Sequence, residues 1–268
     1  MDPASTHVKT RIVITGKGGV GKTTLSALLA HTFARKGMSV LTVDGDPQQN
    51  LGATLGLPPE LADAIVPLSE EKDYIEEKIG GGPGRGGFMV LNPGTLDVVN
   101  RFGVSAGNGI RLLVMGGVKE AGSGCLCPEY TLLAAVFRNA GYLPDDVVIL
   151  DTPAGLEHFG RAVAQGFSLA LIVADPSYNA LSVARTLSGL AGQCGIKKTI
   201  LIVNKANGST DKKKIREMAE GLFSGIIFVP ADTCISRYEP SVKPVVDQGC
   251  PVMETVERIA GMILEEIR

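Results

Sequence analysis

The densest chemistry in the chain lies in the run Gly16-Lys17-Gly18-Gly19-Val20-Gly21-Lys22-Thr23-Thr24. Glycines at this spacing let successive backbone N–H groups turn toward one anion, and a lysine and a hydroxyl at the end of the run complete a site for phosphates and a divalent cation. Gly16 to Thr23 fits the P-loop pattern, which places Lys22 at the β and γ phosphates and the Thr23 hydroxyl on Mg²⁺; Gly16, Gly18, Gly19, Val20, Gly21 and Thr24 supply the cradle and the helix start. The same run contains the dinucleotide fingerprint in Gly16, Gly18 and Gly21. Gly21-Lys22-Thr23 decides between the two patterns, because a lysine and a metal-binding hydroxyl have work to do on a triphosphate and little on a pyrophosphate bridge. The expected ligands are ATP or ADP with Mg²⁺.

A second constellation is Gly124-Cys125-Leu126-Cys127-Pro128-Glu129. Two thiols one residue apart can face one metal if the backbone is extended or turned, which Gly124 and Pro128 favour. They supply two ligands where a structural Zn²⁺ takes four. None of Cys194, Cys234, Cys250, His7, His31 or His158 is near in sequence. A two-fold dimer with this loop on its axis would bring together four thiolates around one metal. The plain alternative is two small residues packed as hydrophobes, which is how Cys194, Cys234 and Cys250 are read. The glycines around Cys125 and Cys127 make that loop poor core and favour the metal.

These groups need a scaffold, and short runs ending in Gly, Asp or Asn provide one: Ile12 to Thr15, Val40 to Val43, Phe88 to Leu91, Leu112 to Met115, Val147 to Leu150, Leu169 to Val173, Ile200 to Val203 and Ile226 to Val229. Most are apolar on consecutive positions, as strands covered on both faces must be. Helical patterns fill the gaps: Leu25, Leu28, Leu29 and Phe33 share one face, Leu132, Leu133, Val136 and Phe137 another, and a last helix runs from about Val252 to Ile267. The order predicts an α/β fold, a doubly wound, mostly parallel sheet flanked by helices, in a single domain over 1–268. Gly80 to Gly87, rich in glycine, is expected to be a flexible insertion.

Composition excludes several classes. A formal net charge of −2 gives no reason to coat nucleic acid or an anionic membrane, and 44% hydrophobic residues exclude a disordered chain. Lys212, Lys213 and Lys214, following Asp211, read as a solvated helix start and not as a nucleic-acid patch. The longest apolar stretch, Phe167 to Ala174, is far short of the ~20 residues that cross a bilayer, and Arg11 begins the first strand pattern too soon for a secretory signal. Five cysteines, an odd number, argue against a disulfide framework. A cytoplasmic location is expected.

Lys17 carries a more specific resemblance. A second lysine at the second loop position resembles the deviant Walker A of the MinD, ParA and nitrogenase iron protein class of P-loop NTPases, in which that lysine crosses a dimer interface to the partner's nucleotide. Asp44-Gly45-Asp46-Pro47 is similar to that class's first switch, and Asp151-Thr152-Pro153-Ala154-Gly155 to its Walker B and second switch. The resemblance implies that Asp46 positions the attacking water, that Asp151 serves the outer shell of Mg²⁺, and that Asn204-Lys205 and Pro230-Ala231-Asp232 fall where the adenine is held, with Asn204, Pro230 and Asp232 as its contacts. With the cysteine pair added, the chain resembles the CooC-type maturation ATPases of carbon monoxide dehydrogenase. That implies a homodimer in which Lys17, Lys22 and Asp46 act in hydrolysis, Cys125 and Cys127 bind nickel or zinc, and the client is a nickel enzyme. The nitrogenase iron protein fits less well, since Asp151 to Phe159 contains no second cluster cysteine. The rival reading is a MinD- or ParA-like positioning or partitioning ATPase. Glu254, Glu257, Glu265 and Glu266 give the last helix an acidic polar face, unlike a membrane-surface helix.

Overall fold

Runs such as Ile12-Val13-Ile14 and Leu171-Ile172-Val173 put apolar side chains on both faces of a strand, so they are stable only where both faces are covered. The computed structural model describes residues 9–80, 90–116, 128–153 and 166–265, and there these runs form the centre of an eight-stranded sheet. The strands are β1 (Thr10–Gly16), β2 (Val40–Asp44), β3 (Val104–Gly107), β4 (Ile110–Val114), β5 (Val147–Asp151), β6 (Leu169–Ala174), β7 (Lys198–Ala206) and β8 (Gly225–Pro230). Their spatial order is β3-β4-β2-β5-β1-β6-β7-β8, parallel except for β3. The expected α/β architecture is therefore present.

The helices are α1 (Lys22–Arg35), α2 (Leu51–Leu55), α3 (Pro59–Asp63), α4 (Lys72–Ile79), α5 (Val98–Phe102), α6 (Pro128–Asn139), α7 (Tyr178–Cys194), α8 (Lys212–Ala219), α9 (Thr233–Tyr238), α10 (Lys243–Asp247) and α11 (Val252–Glu265). The α1 crossover runs one way along the sheet and the α7 crossover runs the other; right-handed connections then place these helices on opposite faces. α1 departs from the expected single apolar face, since every residue from Leu25 to Phe33 is buried. The cause is its position: α1 lies between the sheet and a second layer made by α2, α10 and α11. No helix among the described residues is long and apolar enough to cross a membrane.

One expected strand, Phe88 to Leu91, has no counterpart among the described residues. Val90 and Leu91 are exposed, and their backbone is used elsewhere: the Val90 amide donates to the Ile79 carbonyl at 2.8 Å, and the Leu91 carbonyl accepts from Arg138 at 3.0 Å. Phe88, like most of the glycine-rich segment expected to be flexible, lies outside the described residues. The eighth strand is instead β3, an antiparallel edge whose residues alternate between half-buried and exposed. A search for consecutive apolar residues passes over such a strand.

Arg11 ties the sheet to the turn before β5. Its buried guanidinium donates to the carbonyls of Ala140 and Leu143, each at 2.8 Å, and to those of Thr10 and Asp146. Burial pulls its pKa down to about 10, although Asp145 and Asp146 act in the opposite sense. Arg11→Met should lower the unfolding free energy by about 3 kcal/mol, because buried carbonyls lose their donors. Denaturant melts check this, and a loss below about 1 kcal/mol would show that the carbonyls find other partners.

Candidate functional site

Every predicted nucleotide-site residue that the structure describes lies at the carboxyl end of the parallel strands, where open α/β sheets bind ligands. The loop leaving β1 begins at Gly16, with φ +151°, where a Cβ would collide with the Val173 carbonyl on neighbouring β6. It ends at Gly21, with φ +95°, where a Cβ would strike the Asn204 amide. Side chains are thus excluded at both ends of the turn. Gly21 also caps α1 without any side-chain hydrogen bond, so the first amides of that helix are free to meet an anion. Lys22 is buried on the first turn, and its Nζ donates to the Lys17 carbonyl at 3.2 Å. Burial pulls its pKa down, opposed by the charges of Asp151 and Asp46. Lys17 itself is exposed.

Two carboxylates face each other behind the loop. Asp44, at the end of β2, is in register with Asp151, at the end of β5, and both are buried. Asp44 accepts from the amides of Asp46 and Leu51, each at 3.0 Å, and so holds the turn that presents Asp46. Asp151 accepts from the Ser26 hydroxyl at 3.2 Å, while its Oδ2 is buried without a hydrogen-bond partner. Burial, reinforced by the Asp151 charge, raises the Asp44 pKa to about 7. Burial raises that of Asp151 to about 6, with the Thr23 hydroxyl, Lys22 and Ser26 drawing it back. An unpartnered carboxylate oxygen near a threonine hydroxyl suits a hard divalent cation, so these residues fit Mg²⁺.

A cleft of ≈ 880 Å³ runs from this loop to the ends of β7 and β8. Gly18, Gly19, Gly21, Lys22, Thr23, Thr24, Asp46, Asn204, Pro230 and Asp232 all border it, which brings most of the predicted set together. Val20 is buried beneath the loop. Two of the expected adenine contacts have other partners. Asn204 donates its amide to the Val20 carbonyl at 2.8 Å. Asp232 accepts from Cys234 N and Val252 N, each at 2.8 Å, and caps α9 while tying it to α11. Burial opposes ionisation of Asp232, but these amides hold its pKa below the ordinary value. Lys205, which stands beside Asn204 in the motif expected at the adenine, also borders the cleft, whereas Gln48, Thr54, Ser236 and Glu239 in its wall carried no signal in the sequence.

Cys125, Cys127, Ala154 and Gly155 lie outside the described residues. Among the described residues no group of three or more His, Cys, Asp or Glu side chains could hold a metal ion. Cys194 and Cys234 are half-buried and Cys250 is buried, all three as free thiols.

Residues 12–245 match the family model of the CobQ/CobB/MinD/ParA nucleotide binding domain. An uncharacterized ATP-binding protein of Methanocaldococcus jannaschii is 38% identical over 258 residues, covering 95% of this chain and 98% of that protein. The carbon monoxide dehydrogenase accessory protein CooC of Rhodospirillum rubrum is 33% identical over 257 residues, covering 96% and 97%. Among solved structures, the MinD cell division protein of Aquifex aeolicus superposes with a TM-score of 0.63 at 25% identity, covering 94% of this chain and 97% of its own.

The raised carboxylates make a signed prediction. Asp44 and Asp151 bind protons more tightly in the folded chain than in the unfolded one, so their contribution is full below pH ~4 and is lost as pH rises toward 6 and 7. Without metal or nucleotide, the stability of Asp151→Asn relative to wild type should therefore improve by roughly 2 kcal/mol between pH 4 and pH 7.5. Denaturant melts across that range check it; a difference that stays flat with pH would mean the pair is not under charge strain.

Proposed function

This chain belongs to the CobQ/CobB/MinD/ParA nucleotide-binding family, and on that premise we infer that it is an ATP-hydrolysing, homodimeric metallochaperone of the CooC kind. That reading rests on buried Lys22 and neighbouring Thr23 on the wall of a cleft of ≈ 880 Å³, with the unpartnered Oδ2 of Asp151 buried behind the Thr23 hydroxyl. The loop amides and Lys22 bind the β and γ phosphates, and Thr23 and Asp151 serve Mg²⁺, which supplies positive charge to the phosphate oxygens. Asp46, on the cleft wall, orients the attacking water, and Lys17, exposed on the loop, reaches the partner subunit's nucleotide. The base lies toward Asn204 and Pro230. One domain spanning 1–268 carries all of these parts.

The cargo is a divalent metal, nickel or zinc, held by Cys125 and Cys127 of both subunits and delivered in the cytoplasm to a nickel enzyme such as carbon monoxide dehydrogenase. Support for that half of the reading is the nearly full-length similarity to a protein named as a carbon monoxide dehydrogenase accessory factor, together with the cysteine pair. Loss of the γ-phosphate would remove the contacts that hold the dimer closed and so loosen the metal. Similarity to MinD keeps a positioning ATPase as the second reading. Against its membrane form, α11 buries Val252, Val256, Ile259 and Ile263 within the fold and exposes Glu254 and Glu257.

Two measurements on one preparation separate these readings. Metal analysis of reduced protein loaded with Ni²⁺ should give one ion per two chains, and Cys125→Ser should abolish it while ATP turnover survives. Lys17→Ala should bind ATP yet lose on the order of 10³-fold or more in turnover. Full turnover in Lys17→Ala would remove the cross-subunit role, and absence of bound metal in wild type would favour the positioning ATPase.

A further inference from the structure

β7 carries an irregularity at the point where it passes the phosphate loop. Its pairing with β8 runs in register from Ile200 to Val203 and resumes, shifted, at Ala206, so Asn204 and Lys205 form a bulge. Successive residues of a regular strand point to opposite faces. Here both reach the same loop: Asn204 Nδ2 donates to the Val20 carbonyl at 2.8 Å and Lys205 Nζ to the Gly19 carbonyl at 2.9 Å. The shared direction requires Lys205 to sit at φ +58°, a left-handed conformation that costs a side-chain-bearing residue on the order of 1 kcal/mol and is retained where the surroundings demand it.

We propose that Lys205 is a positioning residue for the phosphate loop, acting with Asn204 as a two-pronged clamp on successive loop carbonyls. The peptide unit is rigid, so a carbonyl fixed on one side directs the N–H of the same peptide to the other. Holding the carbonyls of Gly19 and Val20 on the β7 side fixes the amides of Val20 and Gly21, the next along the chain, before any ligand arrives. The loop then needs less ordering when phosphate binds, and preorganisation of this kind appears as affinity. Lys22 makes a third such bond, to the Lys17 carbonyl, but as the residue assigned to the phosphates it would not serve as a fixed clamp. Lys205 can keep its bond throughout, because Gly19 is held through its carbonyl and not through an atom the phosphate uses. This inference rests on the nucleotide reading of the cleft.

The test compares wild type, Lys205→Met, Lys205→Arg and Lys205→Gly. Each is measured for Mg-ADP affinity by calorimetry, for amide exchange of residues 16–21 without ligand, and for thermal midpoint. Lys205→Met should bind Mg-ADP roughly fivefold more weakly and exchange its loop amides faster, and Lys205→Arg should restore both. Lys205→Gly separates function from stability: relief of the left-handed strain should keep the thermal midpoint at or above that of wild type, while affinity falls as in Lys205→Met. Wild-type affinity and loop exchange in both Lys205→Met and Lys205→Gly would overturn the clamp. So would losses of affinity that simply follow the thermal midpoint through the series. Wild type that binds no Mg-ADP would overturn the nucleotide reading itself and this inference with it, a result distinct from the other two because it appears before any substitution is made.

Discussion

Asp44 and Asp151 stand opposite one another on adjacent strands, both almost out of contact with water; burial raises the cost of ionising each, and the Asp151 charge adds to that cost at Asp44. Like charges this close in a region of low dielectric are tolerated only with compensation. Part of it is internal: two amides at Asp44, the Ser26 hydroxyl at Asp151 and the nearby Lys22 ammonium. The remainder is missing, since Asp151 Oδ2 has no partner. A divalent cation carried in with a nucleotide is the group that would complete the balance. On the nucleotide reading, such a cation would link stability, pH and ligand binding in one place.

The sheet order explains how these groups meet. β1 lies between β5 and β6, so its loop emerges beside the Asp151 carboxylate on one side and against the Val173 carbonyl on the other. β2, next to β5, brings Asp44 and the turn carrying Asp46. Farther along the sheet, the β7 bulge supplies Asn204 and Lys205, and β8 ends at Pro230 on the far wall of the cleft. Loop carbonyls accept from Lys22, Asn204 and Lys205, which sets the orientation of the amides that follow them along the chain. Helix α1, buried from Leu25 to Phe33, fixes the direction in which those amides point.

Much of this could be read from residue types. The loop glycines, Lys22 and the strand-end aspartates have strong local requirements, and the consecutive apolar runs could only be strands buried on both faces. What could not be read was decided by tertiary surroundings. Val90 and Leu91 have strand-like side chains, but α4 and Arg138 take their backbone groups. β3 is a half-exposed edge with a weak pattern. Asp232 was expected at the adenine, yet it lies ahead of Thr233 and Cys234 as a helix cap, a role visible only once α9 is seen to start there. Lys205 was visible in the motif, but its use of the Gly19 carbonyl depends on a bulge that no local pattern announces.

If a nucleotide-borne cation binds at the carboxylate pair, protons held there are displaced, which calorimetry can count. With pKa values near 7 and 6, Asp44 and Asp151 retain proton between them at pH 6.5 in the empty protein. Arrival of Mg²⁺ must expel it. Preformed Mg-ADP titrated into the protein at pH 6.5, in buffers of different ionisation enthalpy, reports the number of protons exchanged on binding. Net release is expected, up to about one proton per chain and reduced in Asp151→Asn. Binding with no proton released, or with protons taken up, would contradict it.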